Sequence, residues 1–278
     1  MRITLSRLLR FIVLLVLLLS LTSCTLSWGA WRDLPLTVAT YNISAGHEVD
    51  YRFESIIVDI TEANADIIAL QEVDLNALRS GRLDTAKYLA EGTKYPYYHF
   101  FSALEFPTGG EYGLAILSRY PILHTETVKL PSLPYEQRIL AHAEIALWDK
   151  TIHFFATHLS YEKNEVRASQ FAGISQILSE YEDYILAGDF NIVHFAEFEA
   201  IPEAAAVYTE KDGIITFPGN KTGIDNILFS PSFWSFDFFQ VFPQTHSDHY
   251  LLSAKLHHTY LKQLGTVATF GKKEDEKV

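Results

Sequence analysis

Residues 184–191 read Tyr-Ile-Leu-Ala-Gly-Asp-Phe-Asn, a short apolar run that ends in a glycine and two polar side chains. An apolar run of this length, bounded by a turn signal, predicts a buried strand, which we place at 184–186. Asp189 and Asn191 follow the strand directly. Loops at strand ends are held by a rigid sheet and often carry functional side chains, so the segment predicts part of a site.

The same arrangement recurs along the chain. Polar residues follow an apolar run at four further places, which are Asn42, Glu72, His158 and Asp225. Asp248 and His249 lie just before a predicted strand begins. Any one of these is typical of a turn or cap residue. Their repetition predicts that several strand ends meet in one site.

Short apolar runs alternate with amphipathic stretches from residue 36 onward. The pattern predicts strands at 36–42, 66–70, 97–101, 113–117, 122–129, 140–147, 151–157, 184–186, 222–229, 233–241 and 250–256. It predicts helices at 51–62, at 83–91 (ended by Gly92) and at 164–180. Strands outnumber helices, and residues 36–258 contain no Pro/Gly linker. We therefore predict one α/β domain, a four-layer sandwich of two mixed β-sheets packed face to face with helices on the outside.

Residues 1–23 are predicted to be a lipoprotein signal peptide. Three arginines precede an apolar run that begins at Phe11 and is shorter than the roughly 20 residues of a membrane span. The run ends in Leu-Thr-Ser-Cys at 21–24, which resembles the lipobox of bacterial lipoproteins, so Cys24 is the predicted lipidation site. The alternative is an uncleaved anchor helix with an incidental cysteine.

The segments on either side of the predicted domain, and the net charge, bear on the location and the partners of the protein. Residues 24–35 are predicted to be a tether and 259–278 a charged C-terminal tail, with 36–258 as the folded domain. We expect a lipid anchor at the bacterial cell envelope, outside the cytoplasm. The net charge of −12 would become −15 after loss of the leader, which argues against a broad basic nucleic-acid surface. Cys24 is the only cysteine, which excludes an intramolecular disulfide.

The polar motifs form an ordered set. They are Tyr-Asn-Ile (41–43), Leu-Gln-Glu-Val (70–73), Ala-Ile-Leu-Ser-Arg-Tyr-Pro (115–121), Thr-His-Leu (157–159), Gly-Asp-Phe-Asn (188–191), Ile-Asp-Asn-Ile-Leu (224–228) and Ser-Asp-His (247–249). The set closely resembles the endonuclease/exonuclease/phosphatase superfamily over roughly residues 36–258. That superfamily includes pancreatic-type deoxyribonucleases, abasic-site endonucleases, neutral sphingomyelinases and inositol polyphosphate 5-phosphatases. The resemblance implies a divalent-metal-dependent hydrolase of phosphate esters.

The resemblance also implies roles for the acidic and amide residues. Glu72 would be the principal metal carboxylate, and Asp248 and Asn42 would complete the metal site. Asp189 would orient or deprotonate the attacking water. Asn191 would hold a phosphate oxygen or that water.

Two histidines and an arginine are implied at the phosphate. His249 would contact the phosphate with its tautomer fixed by Asp225, and His158 would donate to a non-bridging or leaving oxygen. Arg138 resembles a phosphate-contacting arginine of the deoxyribonuclease branch, and Asn42 would also contact substrate. A surface arginine at a strand edge is the alternative for Arg138.

The metal is expected to be a single ion. Hard oxygen ligands suit Mg²⁺, with Mn²⁺ as an alternative. Some superfamily members carry an Asp two residues after the counterpart of Asn42, as a further ligand. This chain has Ser44 there, which favours one ion over two.

The substrate is less defined by the sequence. We expect a monomeric, membrane-tethered phosphodiesterase acting on a lipid headgroup, a nucleic acid or an inositol phosphate. An extracellular nuclease and an inositol-phosphate phosphatase are alternatives, and for the latter the basic candidates are Arg79, Arg82, Lys129 and Arg138. A non-catalytic surface-binding lipoprotein would have lost an essential acid or histidine, and none is lost. The aromatic-rich segments 95–107 and 233–242 are predicted to pack in the core rather than to stack on bases or enter lipid.

Overall fold

The computed structural model describes residues 35–243 and 246–259. Leu36–Leu256 form one compact unit. The predictions for residues 1–34, including Cys24, and for 260–278 lie outside the described residues. No helix within the described ranges is long and apolar enough to cross a membrane.

Strands outnumber helices in the described chain. In chain order these are β1 (Leu36–Asn42), β2 (Ile67–Leu75), β3 (Tyr97–Glu105), β4 (Glu111–Ser118), β5 (Ile122–Lys129), β6 (Ile139–Leu147), β7 (Lys150–His158), β8 (Tyr184–Asp189), β9 (Ala205–Ala206), β10 (Asp225–Phe229), β11 (Trp234–Phe242) and β12 (Leu251–His258). The helices are α1 (Glu54–Ala63), α2 (Thr85–Thr93) and α3 (Asn164–Leu178), with short 3₁₀ segments at Ser44–Val49, Phe195–Ala200 and Glu210–Asp212.

The strands form two sheets of six. The first has the order β11-β12-β1-β2-β4-β3 and the second the order β5-β6-β7-β8-β10-β9. The pairs β1–β2 and β7–β8 are parallel, and the other described pairs are antiparallel, so both sheets are mixed. Each parallel pair is central in its sheet.

Three apolar layers hold these elements together. Between the sheets lie alternate residues of both, among them Val38, Ile116, Ala141, Phe154 and Ile227. The first sheet's outer face packs on α1 and α2, and that of the second packs on α3. Alternation of side chains along a strand gives each sheet two faces, and both are apolar here because both are covered. The four-layer α/β prediction is confirmed.

One predicted helix end is wrong. Gly92 does not terminate α2, which begins after Asp84 and ends at Thr93. The Asp84 carboxylate accepts a hydrogen bond from the Lys87 backbone N–H at 3.0 Å, a capping contact. A Cβ on Gly92 would lie 2.3 Å from the Ile57 side chain. The glycine therefore permits close packing of α2 on α1 instead of ending the helix.

The prediction that the two aromatic segments pack in the core is correct only in part. Trp234 and Phe101 are buried, but Phe238 is 54% exposed and Tyr97 and Tyr98 are also exposed. The reason is topological, since β3 and β11 are the two edge strands of the first sheet. An edge strand has one neighbour, and its outward side chains are covered incompletely.

Candidate active site

The second sheet places three of the predicted residues side by side. In the parallel pair β7–β8, His158 lies opposite Asp189, and in the antiparallel pair β8–β10, Asp225 lies opposite Asp189. Gly188 permits this arrangement, because a Cβ there would lie 2.3 Å from the Thr157 carbonyl oxygen. The Gly-Asp pair in the sequence thus serves close strand packing and side-chain delivery together.

The first sheet delivers two more residues at its own central pair. Asn42 ends β1, and Glu72 lies in an irregular stretch of β2 where the pairing with β4 shifts between Leu70 and Val73. Glu72 has a φ of +57°, a conformation that costs energy for a side chain with a Cβ. Such bulges redirect a side chain out of the ladder, and here the redirected carboxylate lines a cleft.

Asn42 joins the two sheets at the site. Its Nδ2 donates to Glu72 Oε1 at 3.2 Å and to Asp189 Oδ2 at 3.1 Å. Its Oδ1 accepts from the Ser44 backbone N–H at 3.0 Å. Placed this way, the amide positions both carboxylates, and ligation of an ion through Oδ1 would require the amide to turn over.

The loop before β12 completes the cluster. Ser247 Oγ donates to the Asn42 carbonyl oxygen at 2.7 Å, which fixes this loop to the end of β1. Asp248 is exposed, whereas His249 is buried with its Nδ1 2.9 Å from Asp225 Oδ2.

The charge on His249 follows from its neighbours. Burial favours the neutral ring, but Asp225 and Asp189 outweigh burial and raise the pKa of His249 to about 10. The ring is therefore an imidazolium at neutral pH, with both nitrogens as donors. Nδ1 donates to Asp225, and Nε2 lies 3.6 Å from Asp189 Oδ2.

His158 is the opposite case. Burial, the nearby Arg138 and His249 all lower the pKa of His158. Arg138 Nη1 lies 3.0 Å from His158 Nδ1 and can only donate, so the ring proton is on Nε2. That nitrogen lies 3.4 Å from Asp189 Oδ2.

Arg138 is not a surface residue at a strand edge. It is 4% exposed, and it pairs with Glu136 at 2.9 Å besides its contact with His158. Within the described part of the chain, its Nε has no hydrogen-bond partner.

Asp189 lies at the centre of the cluster. Burial and the proximity of Asp225 raise the pKa of Asp189 to about 7, although His249 acts in the opposite direction. Its Oδ1 accepts from the Asn191 backbone N–H at 3.0 Å. Asn191 has a φ of +48°, and its Nδ2 donates to the Leu159 carbonyl oxygen at 2.9 Å. Asp189 is thus a carboxylate that can exchange a proton near neutral pH.

Among the described residues of the cleft, side chains that could bind a cation occur at two places. Asp189, Asp225 and His249 offer ligand atoms within 4.8 Å of one another and could hold a divalent ion. Glu72 and Asp248 form the second place. Burial raises the pKa of Glu72, and the charge of Asp248 raises it further. A bound cation would therefore stabilise the ionised forms of these two carboxylates.

All these groups meet at a cleft of about 710 Å³. The predicted residues that line it are Glu72, Arg138, His158, Asp189, Asn191, Asp248 and His249. Asn42 and Asp225 lie buried behind, in contact with lining residues.

The cleft also contains residues that no sequence pattern singled out, which include Tyr112, Glu136, Tyr161 and Phe217. Phe106 lines it too, although its segment 95–107 is predicted to pack in the core. The Phe217 ring lies 4.8 Å from the His249 ring. These side chains come from loops and from β4, and only the folding of distant segments brings them to the site.

Among the four basic candidates, Arg79 and Arg138 line the cleft. Arg79 donates to the buried Asp74 through Nε at 2.9 Å and Nη2 at 2.8 Å, with its guanidinium 5.0 Å from the Phe106 ring centre. Arg82 donates instead to the Thr108 carbonyl oxygen at 3.1 Å.

A four-layer sandwich with acids and histidines at its central strand ends defines a class of hydrolytic sites. The profile of the Endonuclease/Exonuclease/phosphatase family matches residues 39–249. The chain belongs to this family, as the motifs predicted. Members are phosphoester hydrolases that use divalent metal ions.

A sequence relative and three solved structures illustrate the likeness. The Escherichia coli K12 protein named "Uncharacterized protein YbhP" is 31% identical over 176 residues, which are 58% of this chain and 68% of that protein. An endonuclease/exonuclease/phosphatase from Beutenbergia cavernae has a TM-score of 0.69 at 19% identity, covering 81% of this chain and 72% of that chain. The mannosyl-6-phosphatase Bt3783 of Bacteroides thetaiotaomicron (TM-score 0.64, 20% identity) covers 80% and 99%. D. rerio TDP2 complexed with a single-strand DNA product (0.62, 17%) also covers 80% and 99%.

Proposed function

We propose that this protein is a divalent-metal-dependent phosphodiesterase held at a membrane surface. The observation that carries the proposal is the central carboxylate Asp189, which lies between the neutral His158 and the His249–Asp225 pair. Hydrolysis of a phosphate diester needs an activated water, donors for the phosphate oxygens and neutralisation of charge. The site supplies groups for each need.

The metal is best assigned to Glu72 and Asp248, and Mg²⁺ or Mn²⁺ suits these hard oxygen ligands. The alternative cluster is less suited, because the Nδ1 of His249 is already hydrogen-bonded to Asp225 Oδ2. When bound, the cation would neutralise charge on the phosphate. Ser44 at the position of a further acid favours a single ion.

Asp189 is the proposed base. Its raised pKa allows it to accept a proton from water near neutral pH, and Asn42 and the Asn191 N–H hold its two oxygens in place. Asn191 would position the same water or a phosphate oxygen.

The two histidines are the proposed donors. His158 carries its proton on Nε2, oriented by Arg138, and would donate to a phosphate or leaving oxygen. The imidazolium of His249 would donate through Nε2, with Asp225 holding its charge and orientation. The Nε2 atoms of His158 and His249 lie 3.4 and 3.6 Å from Asp189 Oδ2, so the two proposed donors are next to the proposed base.

The cleft favours a diester over a polyphosphorylated ligand. Each of its two arginines is already paired with an acid, Arg79 with Asp74 and Arg138 with Glu136. Paired arginines leave little net charge for a polyanion. Two fold neighbours are a mannosyl-6-phosphatase and a TDP2 with single-strand DNA product, so a phosphatase and a nuclease stand as alternatives.

Hydrolysis of bis-p-nitrophenyl phosphate with Mg²⁺ tests the activity. We expect the wild type to act, EDTA to abolish the rate, and His249→Ala to lose it. Arg82→Ala is the matched control, because Arg82 is exposed and bonds only to backbone oxygens in the described chain. Equal rates in all proteins would rule out catalysis at this site. A panel of DNA, RNA, sphingomyelin, glycerophosphodiesters and inositol phosphates then identifies the ester.

The location is a separate part of the proposal. Cleavage before Cys24 and acylation of its thiol would tether a monomeric enzyme to the cell envelope, outside the cytoplasm. We expect Cys24→Ser to shift the protein from the membrane to the soluble fraction. Unchanged partitioning, with the leader removed in both proteins, would contradict the anchor.

A further inference from the structure

Five exposed apolar side chains belong to loops that form the cleft. They are Leu78 (58% exposed), Leu133 (89%), Tyr161 (69%), Val193 (58%) and Ile215 (38%), and we call them the apolar rim. Tyr161 and Val193 line the cleft themselves. The other three lie within a few residues of lining side chains.

The distribution of these side chains is informative. Single exposed hydrophobic residues are normal on any protein. Here five separate loops that supply lining residues each expose one, and two of the five, Tyr161 and Val193, line the cleft. The exposed apolar residues of the strands and of α1 lie outside these loops. A set of apolar tips around a polar cleft is typical of an interaction surface.

The charge of the same loops differs from that of the whole chain. The described cleft loops (76–84, 106–110, 130–138, 159–163, 190–194, 207–224 and 246–250) contain six basic and six acidic side chains. They are formally neutral, whereas the chain has a net charge of −12. The loops of the cleft thus expose apolar side chains and have no formal net charge, on an otherwise acidic molecule.

We propose that the apolar rim inserts into the interfacial region of a bilayer of zwitterionic phospholipids, so that the cleft takes its phosphate ester from the lipid surface. This inference rests on the proposed phosphodiesterase function and names its substrate class. Aromatic and aliphatic tips enter the boundary between headgroups and acyl chains, and each adds buried apolar area. A zwitterionic surface matches the neutral face, and an anionic surface would repel the acidic body.

The shape of the rim favours a lipid surface over a protein partner. The five side chains stand on separate loops that also supply residues of the polar cleft, so they do not form one continuous apolar segment for a helix or a strand to pack on. A fluid bilayer adapts to separate tips, and it presents headgroup phosphates at the depth of a polar cleft.

Vesicle sedimentation tests the inference in the full chain. All proteins carry Cys24→Ser, so no acyl chain contributes and the leader is the same throughout. The rim variant is Leu133→Ser/Ile215→Ser. The matched control is Val58→Ser/Leu123→Ser, since Val58 (49%) and Leu123 (57%) are similarly exposed on α1 and β5.

We expect the rim variant to bind phosphatidylcholine vesicles at least tenfold more weakly than the control, with little effect of salt. Hydrolysis of soluble bis-p-nitrophenyl phosphate should stay unchanged in both, which also shows that both fold. Leu133→Trp/Ile215→Trp should strengthen vesicle binding. Equal binding of rim and control variants would overturn the inference. So would binding that requires anionic lipid and disappears in high salt, or rim-dependent binding to a protein but not to vesicles.

Failure of the proposed function would look different. If the wild type hydrolyses no phosphate ester, the phosphodiesterase proposal fails whatever the vesicle result. If soluble ester is hydrolysed but rim and control bind vesicles equally, only the rim inference fails.

Discussion

Two buried charged clusters in this protein differ in how completely their atoms are paired. Arg167 on α3 is fully buried, and it donates to both Glu197 oxygens at 2.6 and 3.0 Å and to the Ser160 carbonyl oxygen at 3.1 Å. In the active site, Arg138 Nε and Asp225 Oδ1 lack partners among the described residues. One cluster is saturated, and the other keeps unused hydrogen-bonding capacity.

The pKa values show the same contrast. Burial alone would raise the pKa of Glu197, but the contacts with Arg167 and backbone N–H groups outweigh burial and lower it. Burial raises the pKa of Asp189 instead, and Asp225 adds to the effect. A saturated cluster stabilises the fold, whereas an imperfectly paired one holds groups ready to exchange protons or bind a ligand.

The largest expected effect is on catalysis, at Asp189. Asp189→Asn removes the proposed base and should lower the rate on bis-p-nitrophenyl phosphate by about 10³- to 10⁴-fold. The same change removes a buried negative charge beside Asp225, so the melting temperature should be unchanged or higher. A full loss of activity that accompanies unfolding would contradict the assignment, as would an active variant.

The next effect separates the two cation positions. Glu72→Gln should raise the Mg²⁺ concentration for half-maximal residual activity by about a hundredfold, since it removes a ligand carboxylate. Asp225→Asn is the control and should lower the rate while leaving that concentration within a few-fold. The reverse pattern would place the ion at Asp189, Asp225 and His249.

The saturated cluster should show an effect on stability instead. Glu197→Gln leaves Arg167 buried without its counter-charge, and we expect a loss of about 2 kcal/mol in the free energy of unfolding. This lies below the range for fully buried pairs because the Glu197 side chain is 21% exposed. Activity per folded molecule should change little.

The pH dependence has a defined sign. The lowered pKa of Glu197 means that its ionised form stabilises the fold above the unfolded pKa of about 4.3, and the contribution is lost as pH falls through the folded value. Urea unfolding of wild type and Glu197→Gln should therefore differ at neutral pH and converge in acid. A constant difference across this range would contradict the pairing.

The smallest effect concerns a neutral contact outside both clusters. The Tyr95 hydroxyl donates to the Ala65 carbonyl oxygen at 2.7 Å in a buried position. Tyr95→Phe should cost about 1 kcal/mol, the usual contribution of a neutral hydrogen bond. Chemical denaturation measures it, and a loss as large as that of Glu197→Gln would remove the distinction between charged and neutral pairing.

Much of the fold could be predicted from local pattern. The strand Ile122–Lys129 and the start of α3 at Asn164 agree with the sequence periodicity because each depends on neighbouring residues. The end of α2 could not be predicted, because Gly92 is there to pack closely on the Ile57 side chain of α1, and the local sequence does not contain that contact. The exposure of Phe238 depends likewise on which strand lies at a sheet edge.

The candidate site likewise has a part that the sequence predicts and a part that only the tertiary structure determines. The ordered motifs alone identified the family and the residues at the strand ends, since the residue types and their order are properties of the chain. Only the tertiary structure decided that Asn42 joins both sheets, that Arg138 fixes the tautomer of His158, and that the exposed Tyr161 and Val193 line the cleft. Those features depend on distances and burial between residues far apart in sequence, and a local pattern does not contain them.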